Sequence, residues 1–432
     1  MILAAPLGAL LVLLCTHFPA PGADSPAATR LAPAQGPPSA LSPEAAPRLI
    51  RILDPPAAAG SLGPELSRVG KNVLLSWLEP PRPGSKPQDG VYALRYSIFD
   101  GSRWAEPQTV FSGNRFFANW ADFPSIAQGP GGWLLAHWAQ MSGDGTDAYD
   151  VQLARAESLG SPWRQIGKAH DDETQAEHGF VSFVPDGNQI RVFWLDGRET
   201  KSESGGSEHG GGNMSLRTAL AGETVRFAEL LDTRVCDCCQ TGAAITPEGP
   251  IVVYRDRSEK EIRDISIVRR TGKRWTEPRP VANDGWEISG CPVNGPSVDA
   301  NGRRVAVAWF TAAQGRPRVQ VAFSKDSGAT FGAPRVVDDA GPLGRVAVVL
   351  DANGDAIVLW VASQGKQSSI QLRRFSSSGR AGEAMLVSET TAARTSGFPR
   401  LVRSGDSVVV AWVQASDPSR IRAATLATAA VP

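Results

Sequence analysis

The sequence predicts an all-β fold, a β-propeller of four-stranded antiparallel blades. The repeat count gives seven blades, with six as the alternative, and a strand from the N-terminal side closes the ring. Three observations carry this. A short apolar run ending in Trp or Tyr recurs seven times. A turn rich in Gly, Asn and Asp precedes six of these runs. The last repeat stops one strand short.

The aromatic ends are Trp77, Trp138, Trp194, Tyr254, Trp309, Trp360 and Trp412, spaced 51 to 61 residues apart. Seven copies at that period indicate a repeat architecture and not separate domains. The turns at 129–132, 185–188, 247–249, 300–302, 352–354 and 404–406 carry glycine or asparagine, which supply the positive φ of a tight hairpin. In the fifth repeat, residues 295–298 read as a first strand, 305–309 as the second, 319–323 as the third and 334–337 as the fourth. Residues 421–426 are a third strand with no fourth after it. Residues 47–51 stand alone before the first repeat, so they are expected to complete the last blade and remove its open edge. The stretch 351–355, with Asp351 and Asp355, has a faint calcium-loop look but falls on the repeated hairpin and reads as a turn.

Residues 324–331 carry Ser324, Asp326, Gly328, Thr330 and Phe331 in the order Ser-x-Asp-x-Gly-x-Thr-aromatic. This resembles the Asp-box (BNR repeat) of sialidase-like β-propellers, and weaker copies recur at 97–104 and 270–275. The resemblance implies a hairpin between third and fourth strands. There the Asp caps backbone amides, on the face opposite a sialidase active site; the motif implies fold and not chemistry. Two departures limit it. Sialidases usually have six blades, and their Phe/Tyr-Arg-Ile-Pro motif is missing from this sequence. Their nucleophile is a tyrosine; this chain has only Tyr92, Tyr96, Tyr149 and Tyr254, and Tyr254 occupies the repeated packing slot.

Residues 1–23 read as a signal peptide. Leu7 to Leu14 are apolar but too few to span a bilayer as a helix, and small residues follow. Cys15 offers a lipid anchor as the alternative, although Leu14 stands where lipoprotein signals usually carry a small residue. Residues 24–46, rich in Ala, Pro and Ser, read as a linker, and 47–432 as one propeller domain. The chain is therefore expected to be exported, periplasmic or extracellular, with no transmembrane helix. Its 44 basic and 44 acidic side chains balance, which gives no reason to expect nucleic acid or an anionic membrane as partner.

In such blades the loop after the second strand and the lead-in to the next blade share one face, the upper face. The chemically distinctive residues fall there. Cys236, Cys238 and Cys239 precede the fourth repeat and Cys291 the fifth. In an exported chain these four are expected to form disulfides, with pairing open; the alternative is a thiolate site for copper or zinc. No cofactor is otherwise required. Arg198, Arg255, Arg257 and Arg263 are candidate ligand-binding cations, joined by His178 and Trp120 from the lead-ins to repeats three and two. Asp196, Asp256, Glu199 and Asp122 are candidate catalytic carboxyls. The Gly- and Ser-rich segment 202–213, with His209, reads as an insertion or a lid. The expected function is binding of a glycan, peptide or protein ligand on this face. Alternatives are a glycoside hydrolase of sialidase-like type or a thiolate metal or redox protein.

Overall fold

The structure, a computed structural model, describes residues 49–82, 91–200, 212–365 and 367–432. The segments assigned to signal peptide and linker, Cys15 and His209 lie outside these. The described chain is almost entirely β-strand, interrupted by four short 3-10 turns and no α-helix. Among the described residues no helix is long and apolar enough to cross a membrane.

Seven antiparallel sheets form seven blades. Blade one is Leu62–Val69, Asn72–Glu79, Tyr92–Phe99 and Gln108–Gly113. Blade two is Ser125–Gln128, Leu134–Met141, Tyr149–Ala156 and Arg164–Lys168. Blade three is His178–Asp186, Gln189–Asp196, Ser215–Ala221 and Val225–Asp232. Blade four is Gly242–Thr246, Gly249–Arg255 and Ile265–Thr271, its outer strand broken into Arg274–Trp275 and Arg279–Pro280. Blade five is Ser297–Asn301, Arg304–Thr311, Arg318–Ser324 and Arg335–Asp338; blade six is Gly344–Leu350, Ala356–Gln364, Gln367–Phe375 and Met385–Thr390. Blade seven is Arg400–Ser404, Ser407–Gln414 and Arg420–Ala427. Its fourth strand is Arg51–Ile52, paired with Thr425 and Ala424. Closure thus uses the C-terminal end of the predicted 47–51 segment and one residue beyond it. First strands neighbour one another around the ring, and blade seven returns to blade one.

The apolar core is divided the same way, into seven clusters among the described residues, one between each pair of adjacent blades. Every repeated aromatic lies buried in the cluster shared with the preceding blade. A buried indole or phenol must satisfy its polar tip, and the fold does so in two ways. In the first three blades the partner lies two residues on: Trp77 Nε1 donates to Glu79 at 3.0 Å, Trp138 to Gln140 at 3.2 Å and Trp194 to Asp196 at 2.8 Å. In blades four to six it comes from the outer edge of the preceding blade: Tyr254 donates to Asp232 at 2.5 Å, Trp309 to Asp284 at 2.7 Å and Trp360 to Asp338 at 2.6 Å.

The hairpin at 324–331 is built as its residue pattern requires. Asp326 accepts from the Thr330 amide at 2.9 Å, the Thr330 hydroxyl at 2.6 Å and the Ser324 hydroxyl at 2.7 Å, and Gly328 turns the chain at φ 80°. Burial pushes the Asp326 carboxyl up, but the bonds from Thr330 and Ser324 prevail and hold it at about 2. Asp100 makes the matching cap in blade one. Asp351 accepts from the amides of Asn353 and Asp355, so that segment is a hairpin turn.

Candidate functional site

Three clusters occupy the upper face. The first hangs on residues 114–124, which lead into blade two. Phe117 stacks on the ring of Tyr149, centroids 3.9 Å apart. The Tyr149 hydroxyl donates to Glu177 Oε1 at 2.7 Å. Asp122, buried beneath, accepts the Phe180 amide on Oδ1 at 3.0 Å, while its Oδ2 has no hydrogen-bond partner. That amide belongs to a residue at φ 55°, beside a bulge in the first strand of blade three. Burial raises the Asp122 carboxyl to about 7, against the bond from the Phe180 amide. Burial raises Glu177 to about 8, with the charges of Asp147, Asp122 and Asp237 acting in the same direction and the Tyr149 bond against it. Asp122, Tyr149 and Glu177 therefore form a tyrosine held between two carboxyls that are reluctant to ionise. Glu177 is only half-buried, at the surface of the group.

On its other side the same lead-in presents Trp120, stacked on Phe398 with centroids 5.7 Å apart. Arg345 and Arg394 lie over the indole at 5.2 and 5.8 Å. Trp120, Phe123, Phe398, Leu62, Tyr92 and Val413 line a cavity of about 270 Å³ between blades one, two and seven. A larger cavity, about 560 Å³, runs along the axis between the first strands. In its wall Arg400 pairs with Glu65 at 2.9 Å and lies over the Phe123 ring at 3.8 Å.

The second cluster joins blades two and three. His170 and His178 stack face to face, centroids 3.8 Å apart and 6° from parallel. Asp172 lies 2.9 Å from His170 and 3.3 Å from His178, Asp150 3.4 Å from His170, and Asp196 3.7 Å from His178. Burial opposes protonation of His178, yet the Asp172 bond and the charges of Asp196, Asp172 and Asp150 raise its pKa overall. Arg198 binds Asp196 at 2.8 Å, Asp171 at 2.8 Å and Asp172 at 3.2 Å.

The third cluster stands at the lead-ins to blades four and five. All four cysteines among the described residues are free. Cys236 Sγ lies 3.5 Å from Cys239 Sγ and 4.0 Å from Cys238 Sγ. Arg263 donates to Cys236 Sγ at 3.2 Å and the Asn294 amide to Cys239 Sγ at 3.4 Å. Hydrogen bonds from Cys238 and Cys239, aided by the charges of Arg263 and Arg255, hold the Cys236 thiol well below the usual range. Arg257 grips Glu261 at 2.9 Å and Asp237 at 3.4 Å.

The structure thus gathers the sequence candidates but spends most of them internally. Asp196 is fully buried as the cap of Trp194 and the counter-ion of Arg198. Asp256 accepts the Arg257 amide and the Ser266 hydroxyl. Arg255 is buried and donates to the carbonyls of Asn294, Arg263 and Phe310. Arg198, Arg257, Arg263 and His178 hold loop carboxylates, which makes them parts of the scaffold of the rim. Glu199 is exposed in the short turn Arg198–Thr200. Of the proposed ligand contacts, Trp120 lines an open cavity. Sequence reasoning missed Tyr149, Glu177, His170 and Asp172. Glu177 directly precedes His178 in the lead-in to blade three, and Tyr149 opens a third strand that begins on the upper face.

These features define a seven-bladed β-propeller whose upper rim carries an aromatic cavity, a carboxyl–tyrosine group and a thiol cluster. No protein-family model and no curated protein matches the chain. Among solved structures it is similar in fold to a protein of unknown function from Dyadobacter fermentans DSM 18053. The identity is 14%, the TM-score 0.50, and the match covers 88% of this chain and 98% of that one. It is also similar to a polysaccharide lyase of family PL25, an ulvan lyase bound to -[GlcA(1-4)Rha3S]-, at 12% identity and TM-score 0.52, covering 86% and 95%. A Hadza microbial sialidase aligns at 14% identity and TM-score 0.48, covering 79% and 75%.

Proposed function

We propose that the chain is an exported propeller that binds a glycan on its upper face, against Trp120. The observation that carries this is the Trp120–Phe398 wall, an open aromatic cavity with the guanidinium of Arg394 over the indole. Sugar rings present C–H faces that stack on aromatic rings and hydroxyls that accept from guanidinium groups. The cavity is of a size for one or two sugar units and is bordered by charge. The fold shared with the ulvan lyase of family PL25 supports the glycan over a peptide. Export rests on the signal-like residues 1–23.

A second reading, glycan cleavage, is favoured by one observation. Glu177 carries a carboxyl raised to about 8 and hydrogen-bonded by a tyrosine, on the lead-in to blade three, next to the lead-in that carries Trp120. An acid that stays protonated at neutral pH can give its proton to a leaving oxygen. The test is a screen of the full chain against neutral, sialylated and uronic-acid glycans, read by binding and by release of reducing ends. Binding that Trp120→Ala abolishes supports the first reading. Turnover that Glu177→Gln abolishes adds the second. Failure of every glycan class to bind sinks both.

A further inference from the structure

We infer that Cys236, Cys238 and Cys239 form a binding site for one thiophilic closed-shell cation, zinc or copper(I), with Cys291 beside them as a fourth sulfur. Nothing in this inference rests on the glycan reading. Three arguments carry it.

The first is distance. Sulfurs sharing one zinc at ~2.3 Å lie ~3.8 Å apart when tetrahedral. The separations of 3.5 Å and 4.0 Å around Cys236 bracket that value. The three sulfurs lie within 4.8 Å of one another, so they converge on a single point instead of pairing off. Cys291, exposed at the lead-in to blade five, stands outside this group of three, on the side of Cys238.

The second is charge. Arg255 is fully buried, and every hydrogen bond it makes goes to a neutral carbonyl. Among the described residues it has no carboxylate within ion-pair distance. A buried guanidinium without an anion is costly. Its neighbour Arg263, also buried, divides its fork between Glu261 and the Cys236 sulfur. Two disulfides would be neutral and would leave the Arg255 charge uncompensated. Three or four thiolates around one cation carry net negative charge and answer it.

The third is the surrounding shell. The Cys239 sulfur accepts the Asn294 amide, and Asn294 is itself fixed, its side chain accepting the Arg345 amide at 2.7 Å and donating to the Leu343 carbonyl at 3.2 Å. Gln240, next in sequence, donates to Ala121 O at 2.7 Å and accepts from Gly295 N at 3.0 Å. N–H groups aimed at sulfur, held by blades four, five and six, are how a protein orients thiolate ligands. The ion-free triad is thus already arranged.

The experiment uses the full chain, reduced and stripped of metal, then loaded separately with zinc and with copper(I), and read by native mass and by thiol alkylation. The expected result is one ion per chain, with the cysteines shielded from alkylation until a chelator removes it. Zinc retained and lost in Cys291→Ser identifies a four-sulfur site; copper(I) retained in Cys291→Ser identifies a three-sulfur site. Cys238→Ser, at the half-buried member of the triad, is expected to weaken binding on the order of 100-fold or more. A circular-dichroism spectrum of each variant confirms that the fold is kept. Should the protein as isolated carry its cysteines as disulfides and, once reduced, bind neither ion more tightly than a Cys-to-Ser variant of all four, the inference is overturned.

Discussion

The Tyr149 hydroxyl donates to Glu177 at 2.7 Å while its ring lies flat on Phe117, and this pair joins the lead-in to blade two to the lead-in to blade three. Tyr149 is buried, and burial raises its own pKa well above the phenol range, with the charges of Glu177 and Asp122 adding to the effect. It stays a neutral donor. Tyr149→Phe therefore removes one hydrogen bond and nothing else, for a cost of about 1 kcal/mol in urea denaturation. If glycan cleavage is the activity, the same variant leaves Glu177 without its donor and lowers turnover by about 10²-fold. Unchanged turnover in Tyr149→Phe and Glu177→Gln alike would remove both residues from the chemistry.

Asp122 sets a pH dependence of stability whose sign follows from burial. Its carboxyl is held at about 7 in the fold, against an ordinary value of 3.8. Between these values the folded chain keeps a proton that the unfolded chain has lost, so stability falls as pH rises from about 4 to about 7 and then levels. The contribution is on the order of 4 kcal/mol at full burial. Asp122→Asn keeps the acceptor for Phe180 and cannot ionise. Thermal melts at pH 5 and pH 8 are expected to show the variant close to the parent at pH 5 and more stable at pH 8. A parent whose stability rises over this range refutes the assignment.

His178 gives the same direction of pH dependence, from charge and not from burial. Asp172, Asp196 and Asp150 raise its folded pKa above 6.5, so its stabilisation is fully present below that value and is lost as pH rises through the folded pKa. His178→Ala leaves these carboxylates facing one another with Arg198, Arg217 and Lys168 as remaining cationic partners. The expected loss is about 3 kcal/mol at pH 6 and less at pH 9, measured by denaturant titration. A loss that does not change with pH would mean that His178 is neutral and acts by packing alone.

The fold was legible because its signals are local. Each aromatic strand and each glycine turn is a run of a few residues, and the missing fourth strand after Ile421 pointed directly to the N-terminal segment. The site was less legible because its bonds are not local. Asp122 meets Phe180 across 58 residues and Gln240 meets Ala121 across 119. Arg198 and Arg255 looked like ligand-binding cations in sequence. Only the packed structure reveals that one is claimed by Asp171, Asp172 and Asp196 and the other by backbone carbonyls. Glu177 gave no sequence signal apart from its place beside His178, since its raised pKa depends on burial and on Asp147, Asp122 and Asp237 in other segments.

The aromatic caps supply a test of the blade interfaces themselves. Asp284 accepts Trp309 Nε1 at 2.7 Å and Gln320 Nε2 at 2.8 Å, tying the outer edge of blade four to blade five. Asp284→Ala leaves two donors without an acceptor, one of them on a fully buried indole, and is expected to cost about 2 kcal/mol. Trp309→Phe removes one donor but also opens a void at the interface between blades four and five, for a similar cost. In the double variant the indole N–H that lacked an acceptor is gone. Its destabilisation should therefore fall short of the two single losses added together by about 1 kcal/mol. Full additivity in a denaturation cycle would mean that the hydrogen bond contributes nothing and that the ring is held by packing alone.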